Sequence, residues 1–163
     1  MTEKEFKFQY ALGSLSKDDL RKIAEKSTSK DIITILSNNE DTLVKCCVVD
    51  NPNTSKKILT KLSKDEDWRV RYSVAKNPNT TKKVLSKLSV DEKWDVRVGI
   101  AENSNTPGKA LIKLSNDKNL YVRSRVAKNS NTPVKVLITL SKNKNIYVST
   151  PAKKTLLDKG IKV

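Results

Sequence analysis

Lysine recurs at fixed positions along this chain, for the most part in pairs four residues apart. Two residues with that spacing share one face of a helix. An exposed row of ammonium groups attracts phosphate or carboxylate groups by charge. A solvated face that binds nothing is the alternative that this pattern leaves open. The recurring lysines are Lys57, Lys61, Lys83, Lys87, Lys109, Lys113 and Lys135.

Arginine and aspartate recur with the same step. Three arginines, 26 residues apart, fall beside the apolar face of a predicted helix, where an unpaired guanidinium would be costly. Three aspartates stand six residues before them. We expect Arg–Asp pairs between successive repeats, and direct contact with a ligand is the alternative. The residues are Arg71, Arg97 and Arg123, preceded by Asp65, Asp91 and Asp117.

The elements that position these side chains follow a period of 26 residues. The segment 68–80 returns as 94–106 and as 120–132, without insertion or deletion. Such a period is typical of stacked repeats, because one short unit cannot bury its apolar face alone. We expect an all-α solenoid that forms a single domain over 1–163. Its parts are an N-terminal cap (1–15), a degenerate repeat (16–41), four repeats (42–67, 68–93, 94–119, 120–145) and a C-terminal cap (146–163).

Each repeat is predicted to contain two helices, the first of about nine residues. In the repeat that begins at Trp68, the apolar face of the first helix includes Val70, Val74 and Ala75. Trp94 occupies the position of Trp68 one repeat later, and we expect both indole rings in the core rather than stacked on a ligand. Tyr121 and Tyr147 lie one position further on, in the last repeat and in the C-terminal cap, and should be more exposed and available for stacking.

The turn between the two helices has its own recurring residues. An asparagine ends each first helix, and it tolerates the left-handed conformation that commonly closes a helix. A threonine three residues later, twice followed by proline, predicts an N-cap with proline at the first helical position. These residues are Asn51, Asn77, Asn103 and Asn129, with Thr54, Thr80, Thr106 and Thr132.

The two ends of the chain depart from the repeat. Residues 3–12 predict either a short extended segment or a frayed helix laid over the first repeat. Ser16 and Asp19 have the spacing of a capping box at the start of a helix. At the other end, Thr150-Pro151 predicts a new helix start, with a final helix over 152–158.

Charge is large and uneven. The formal net charge is +15, and no acidic residue lies between positions 118 and 157, against nine basic ones. Arg125 and Lys128 lie in this acid-free stretch. A one-signed field on one half of the chain favours an anionic partner. General enrichment in lysine and asparagine is the alternative source of the charge.

Signals of catalysis are weak. The chain has no histidine, no glycine-rich phosphate loop and no cluster with metal-ligand spacing. Cys46 and Cys47 are adjacent, point about 100° apart on a helix and are expected to be reduced. We expect no cofactor and no metal. The first sixteen residues lack the apolar core of a secretory signal, and no apolar run could span a bilayer, so a cytoplasmic protein without membrane contact is expected.

The repeat consensus VRxxVAxNPxTPxxxLxxLsxD resembles the leucine-rich repeat variant family and is also similar to HEAT-type helical repeats. The resemblance covers 42–145 well and 16–41 weakly. It implies a right-handed superhelix of about five two-helix units, each an α-helix paired with a shorter α- or 3₁₀-helix. It also implies a binding surface rather than a particular activity. Some HEAT-like proteins are DNA glycosylases, and Asp95 beside Trp94 is the pair that raises this remote alternative.

Together these patterns predict a non-enzymatic binding module. The expected partner is a polyanion, foremost nucleic acid, engaged by the seven recurring lysines with Arg125 and Lys128. A scaffold for an acidic protein is the alternative, and no small-molecule substrate is expected. The patterns leave open whether the partner is DNA, RNA or protein, and they do not give the oligomeric state.

Overall fold

The structure, a computed structural model, describes residues 1–162, and in that range it contains twelve helices and no strand. The all-α repeat fold predicted from the sequence is therefore confirmed. The helices are α1 (Glu3–Ala11), α2 (Lys17–Lys26), α3 (Lys30–Leu36), α4 (Thr42–Asp50), α5 (Lys56–Leu62), α6 (Trp68–Lys76), α7 (Lys82–Leu88), α8 (Trp94–Glu102), α9 (Gly108–Leu114), α10 (Leu120–Lys128), α11 (Val134–Ser141) and α12 (Ile146–Asp158).

The chain divides into two compact units. The N-terminal unit, Met1–Asn77, contains α1 to α6, and the C-terminal unit, Pro78–Val163, contains α7 to α12. The expectation of one domain over the whole chain stays a prediction. We call the nine-residue helices that open the repeats, together with α2 and α12, the first helices, and the seven- or eight-residue helices the second helices.

Within each unit the first helices lie side by side. In the N-terminal unit α4 packs between α2 and α6, and in the C-terminal unit α10 packs between α8 and α12. The second helices form the other layer. Valines and leucines from both layers fill the space between them; Val122, Val126, Leu111 and Leu137 are fully buried in the C-terminal unit. Burial of these side chains is the main contribution to stability.

The recurring asparagine is not a left-handed cap, so that prediction is wrong. Asn129 has φ −77° and ψ 123°, and no described residue other than glycine has a positive φ. The buried amide of Asn129 donates from Nδ2 to the carbonyl oxygens of Ala101 (2.8 Å) and Asn103 (3.1 Å) in the preceding repeat. Its Oδ1 accepts the Asn131 N–H at 2.8 Å. The side chain therefore ties neighbouring repeats together.

The recurring threonine is not the N-cap either. Thr106 Oγ1 donates to the carbonyl oxygen of Ile100 at 2.6 Å, and Thr132 makes the equivalent bond within its own repeat. The hydroxyl thus satisfies a carbonyl at the end of the first helix. As a result, α9 begins at Gly108, and Pro107 takes the N-cap position predicted for Thr106.

Both ends of the chain are helical: residues 3–11 form a helix and not an extended segment, and the last helix begins earlier than predicted. Residues 3–11 are helical, opened by a capping box at Thr2, and Phe6 is buried. Ser16 and Asp19 form the predicted capping box. No new helix starts at Pro151, which lies inside the continuous α12. The carbonyl of Tyr147, which this proline cannot bond, accepts the Ser124 hydroxyl at 2.6 Å.

Candidate polyanion-binding surface

The second helices of the C-terminal unit carry the recurring lysines on their outer side. In α7 the apolar side chains of Val84, Leu85 and Leu88 are buried, which turns Lys83 and Lys87 outward. The same pattern in α9 and α11 exposes the remaining members of the set. The members of the recurring set in this unit are all exposed, and we call them the lysine rows: Lys83, Lys87, Lys109, Lys113 and Lys135.

No carboxylate in residues 1–162 forms an ion pair with any of these five lysines. None of them is therefore held in an ion pair, although Lys113 lines a cavity together with Asp91, Glu92 and Asp117. The Lys83 to Lys87 and Lys109 to Lys113 spacings place each pair about 6 Å apart along its helix axis. Such flexible ammonium groups act as point charges suited to phosphate.

The two equivalent lysines of the N-terminal unit behave differently from each other. Lys57 is exposed, with no hydrogen bond or ion pair to another described residue. Lys61 Nζ donates to the Ser37 carbonyl at 3.0 Å and to Asn38 Oδ1, at the C-terminal end of α3. A cation in that place stabilises the helix terminus. Lys61 therefore already has an intramolecular role.

Charge is concentrated in the C-terminal unit. Its sequence has eighteen basic and six acidic side chains, a net charge of +12, whereas the N-terminal unit has fifteen and twelve, a net charge of +3. A general excess of lysine would not separate the two units in this way.

Arg125 and Lys128 lie away from the lysine rows. Both are on α10, a first helix, whereas the lysine rows are on second helices in the other layer. Arg125 Nε donates to Glu102 Oε1 at 2.9 Å, so this guanidinium already has a carboxylate partner. Lys128 is exposed. The structure thus does not bring these two predicted residues together with the lysines in one surface.

The predicted Arg–Asp pairing between repeats is present at Arg97. Its Nε and Nη2 donate to the two carboxylate oxygens of Asp117 at 2.6 and 3.0 Å, and both side chains are less than 10% exposed. Burial raises the pKa of Asp117, but hydrogen bonds from Arg97 and the Asn119 N–H, with the charges of Arg97 and Arg123, outweigh it and leave the pKa below its usual value. Lys45 and Asp65 make the equivalent pair at 2.7 Å.

Arg123 is an exception to that pattern. Its Nη1 donates to the carbonyl oxygens of Asp117 and Lys118 at 2.7 and 3.1 Å, but within the described chain no carboxylate forms an ion pair with it. The prediction of an acidic partner is therefore wrong for this residue. Asp117 is taken by Arg97, and the next residue in the aspartate series is Asn143. Asparagine at this position of the period is the sequence signal for the difference.

The aromatic residues also differ from expectation. Trp94 is 42% exposed and Trp68 is half-buried, so the prediction of two core tryptophans is wrong. The Trp94 ring instead lies against Tyr121, with centroids 5.8 Å apart. Tyr121 and Tyr147, at 63% and 68%, are exposed as expected. The first position of a first helix is thus covered by the next repeat and not by the core.

The cysteines have no catalytic arrangement. Cys46 and Cys47 are free and half-buried, and burial, with the nearby Glu25 carboxylate, raises the pKa of Cys47 to about 11. A thiol with that pKa is a poor nucleophile at neutral pH. In residues 1–162 no group of three or more cysteine, aspartate or glutamate side chains could hold a metal ion. None of the helices described is both long and apolar enough to cross a membrane.

Comparisons with known proteins bear on the fold. The chain is similar to a solved leucine-rich repeat variant with a novel repetitive structural motif, at 21% identity and a TM-score of 0.59, over 91% of this chain and 70% of that chain. A crystal structure of an engineered protein matches at 17% identity and a TM-score of 0.48, over 99% of both chains. No family model and no curated protein matches the sequence. The first similarity confirms the expected resemblance at the level of the fold.

Proposed function

We propose that this protein is a non-enzymatic repeat module that binds a polyanion, nucleic acid, through the lysine rows of its C-terminal unit. The observation that carries the proposal is the set of exposed lysines on α7, α9 and α11 with no acidic partner among the described residues. A patch of this kind does not stabilise the fold, because like charges four residues apart on one helix repel. An anion bound across the helices removes that repulsion.

The dimensions of the patch suit a nucleic-acid backbone. Closely packed helices are about 8–10 Å apart, and the second helices contact one another less than the first helices do, so α7, α9 and α11 span at least about 20 Å. Duplex DNA carries one charge per about 1.7 Å of its axis, and a length of 20 Å therefore offers about a dozen phosphates. Five lysines can each find a phosphate without a fixed register, which favours binding that is independent of sequence.

Salt dependence tests the proposal directly. Fluorescence anisotropy with a labelled duplex and a labelled single strand, from 50 to 200 mM NaCl, gives the slope of log K against log salt. Five neutralised phosphates predict a slope near −4.5 for the duplex. A chain that binds neither oligonucleotide at 50 mM NaCl would contradict the proposal.

A charge-matched pair of variants locates the surface. Four lysines of the rows changed to glutamine should reduce the duplex slope to about −1, because each lost contact lowers its magnitude by about 0.9. Four other exposed lysines changed to glutamine lower the net charge equally and should leave the slope almost unchanged. The row variant is Lys83→Gln, Lys87→Gln, Lys109→Gln and Lys113→Gln; the control is Lys4→Gln, Lys22→Gln, Lys26→Gln and Lys30→Gln.

The alternative partner, an acidic protein, is tested with the same two variants. Labelled polyglutamate presents carboxylates at similar density but lacks phosphate. Binding of polyglutamate as tight as that of the oligonucleotides at equal salt would favour the protein scaffold over the nucleic-acid module. Loss of both in the row variant alone would still assign the interaction to the lysine rows.

A further inference from the structure

Arg97 and Arg123 occupy the same repeat position and are oriented by the same backbone contacts. Arg97 Nη1 donates to the carbonyl oxygens of Asp91 and Glu92 at 2.7 and 3.1 Å. Arg123 Nη1 donates to the two equivalent carbonyl oxygens one repeat later, also at 2.7 and 3.1 Å. The loop before each first helix therefore fixes both guanidinium groups in the same way.

The two arginines differ in what Nε and Nη2, on the other edge of the guanidinium group, bond to. Arg97 presents Nε and Nη2 to the Asp117 carboxylate, twenty residues later in the chain. The residue twenty positions after Arg123 is Asn143, and the described structure has no hydrogen bond between this pair. Nε and Nη2 of Arg123 are thus two directed donors without a protein acceptor in residues 1–162.

Asn143 cannot replace Asp117 in a bidentate pair, because an amide has one accepting oxygen where a carboxylate has two. Asn143 Oδ1 accepts the Asn145 N–H at 2.9 Å, as Asp117 Oδ1 accepts the Asn119 N–H at 2.8 Å. Where Asp117 has a second carboxylate oxygen, Asn143 therefore has the amide nitrogen, which only donates. The substitution replaces an anion by a third donor.

Two exposed lysines are sequence neighbours of the groups at this site. Arg123 donates to the carbonyl of Lys118, and Lys144 follows Asn143 in the chain. Arg123 is near enough to Asp117 for its charge to lower the pKa of that carboxyl, but both Asp117 oxygens are bonded to Arg97. The next acid in the sequence is Asp158. A guanidinium stays protonated at every physiological pH, so the site keeps its charge.

We propose that Arg123 and Asn143 form a binding site for a phosphate group. Nε and Nη2 of Arg123 bind two phosphate oxygens side by side, in the bidentate geometry that Arg97 uses for Asp117. The Asn143 amide donates to a third oxygen, and Lys118 and Lys144 offset the second negative charge, which a carboxylate would not carry. That the phosphate belongs to a nucleic acid rests on the proposed function; the site for free phosphate does not.

The experiment follows the arginine side chains of the ¹⁵N-labelled full chain by NMR. Sodium phosphate is titrated at pH 7 and constant ionic strength, with sodium acetate as a second series. The Nε–Hε signal that disappears in Arg123→Lys should shift with saturation on adding phosphate, whereas the Arg97 signal should not move. An Arg123 signal unmoved by phosphate, or moved equally by acetate at equal concentration, would overturn the proposal.

Asn143→Asp is the decisive variant, because it supplies the internal carboxylate and leaves Arg123 in place. The phosphate response of Arg123 should then disappear, and the melting temperature should not fall. Ser130→Asp adds the same charge at an exposed position in the turn after α10 and should keep the response. A response that survives in Asn143→Asp would refute the assignment of the site.

The oligonucleotide arm separates the two sources of phosphate. Asn143→Asp should weaken binding of a labelled single strand about tenfold at 100 mM NaCl, and Ser130→Asp about twofold or less. Equal weakening by the two variants would remove nucleic-acid phosphate as the occupant. Free phosphate that shifts Arg123 while no oligonucleotide binds would contradict the proposed function and leave the phosphate site supported.

Discussion

Replacing Arg97 by methionine tests the buried ion pair, because it removes the guanidinium and keeps most of the aliphatic stem. Asp117, with a side chain only 8% exposed, then keeps the Asn119 N–H and loses both arginine bonds. Removing one partner of a buried pair costs about 3–5 kcal/mol. The remaining hydrogen bond favours the lower end, about 3 kcal/mol, which corresponds to a fall in melting temperature of about 6–12 °C for a chain of this size.

Arg123→Met is the matched control. It removes two hydrogen bonds to loop carbonyls like those of Arg97, but no ion pair within the described chain. Its cost should be about 1 kcal/mol, or 2–4 °C. The difference between the two variants therefore isolates the carboxylate. Differential scanning calorimetry of both, at pH 7 in phosphate-free buffer, measures it.

The pH dependence gives the same experiment a second readout. Because the pKa of Asp117 is lowered in the folded protein, its stabilisation is fully present above its unfolded value, near 3.9, and is lost as the pH falls through the lower folded value. The difference in melting temperature between wild type and Arg97→Met should therefore be largest near pH 7. It should shrink as the pH falls, first because the stranded Asp117 of the variant takes up a proton, and below pH 4 because Asp117 of the wild type does.

Two outcomes would refute this reasoning. Equal destabilisation by Arg97→Met and Arg123→Met would mean that the carboxylate contributes nothing beyond the loop contacts. A difference that does not change between pH 5 and pH 3 would mean that an ionised Asp117 is not its cause. Adding Asp117→Asn to Arg97→Met should recover part of the loss, because it removes the stranded charge.

Three further changes have defined outcomes. Asn129→Ala should lower the free energy of unfolding by about 2–4 kcal/mol in urea titration, because it leaves two buried carbonyls and one N–H without their partner; a loss below 1 kcal/mol would contradict the inter-repeat role. Alkylation of Cys47 by iodoacetamide at pH 8 should be on the order of a hundredfold slower than in urea, since its pKa is raised to about 11, and equal rates would exclude that shift. Ser124→Ala should cost about 1 kcal/mol, and less when Pro151→Ala restores an N–H for the same carbonyl; additive effects in the double-mutant cycle would count against that shared acceptor.

The parts of the fold that depend on local chemistry could be predicted from the sequence. The capping box of Ser16 and Asp19 and the outward orientation of Lys83 and Lys87 follow from spacing along one helix. The role of Asn129 could not be predicted in the same way. An asparagine can either close a helix in the left-handed conformation or bond the preceding repeat through its amide. Which of the two occurs depends on where the carbonyls of that repeat lie.

The candidate sites show the same limit. Exposure of the lysine rows follows from the apolar positions beside them, but the exposure of Trp94 depends on the next repeat, which places Tyr121 against it and leaves its outer face uncovered. Charge alone predicts Arg125 as a ligand contact. Its pairing with Glu102 depends on α8 and α10 lying side by side, which local patterns do not show. Local patterns therefore identify charged surfaces better than they identify which charges remain unpaired.

The buried polar positions that recur, unlike the exposed lysines, are used by the fold itself. Arg97 and Asp117 bond each other, and Asn129 and Thr132 bond backbone carbonyls. These side chains therefore already have partners inside the fold. A departure from the period has the opposite consequence, since it removes one partner of a bonded pair and leaves the other oriented. Asn143 is such a departure. An interruption of the period can therefore supply a ligand contact that the regular buried positions do not, and Asn143→Asp, which restores the period, should convert the proposed phosphate site back into a structural pair.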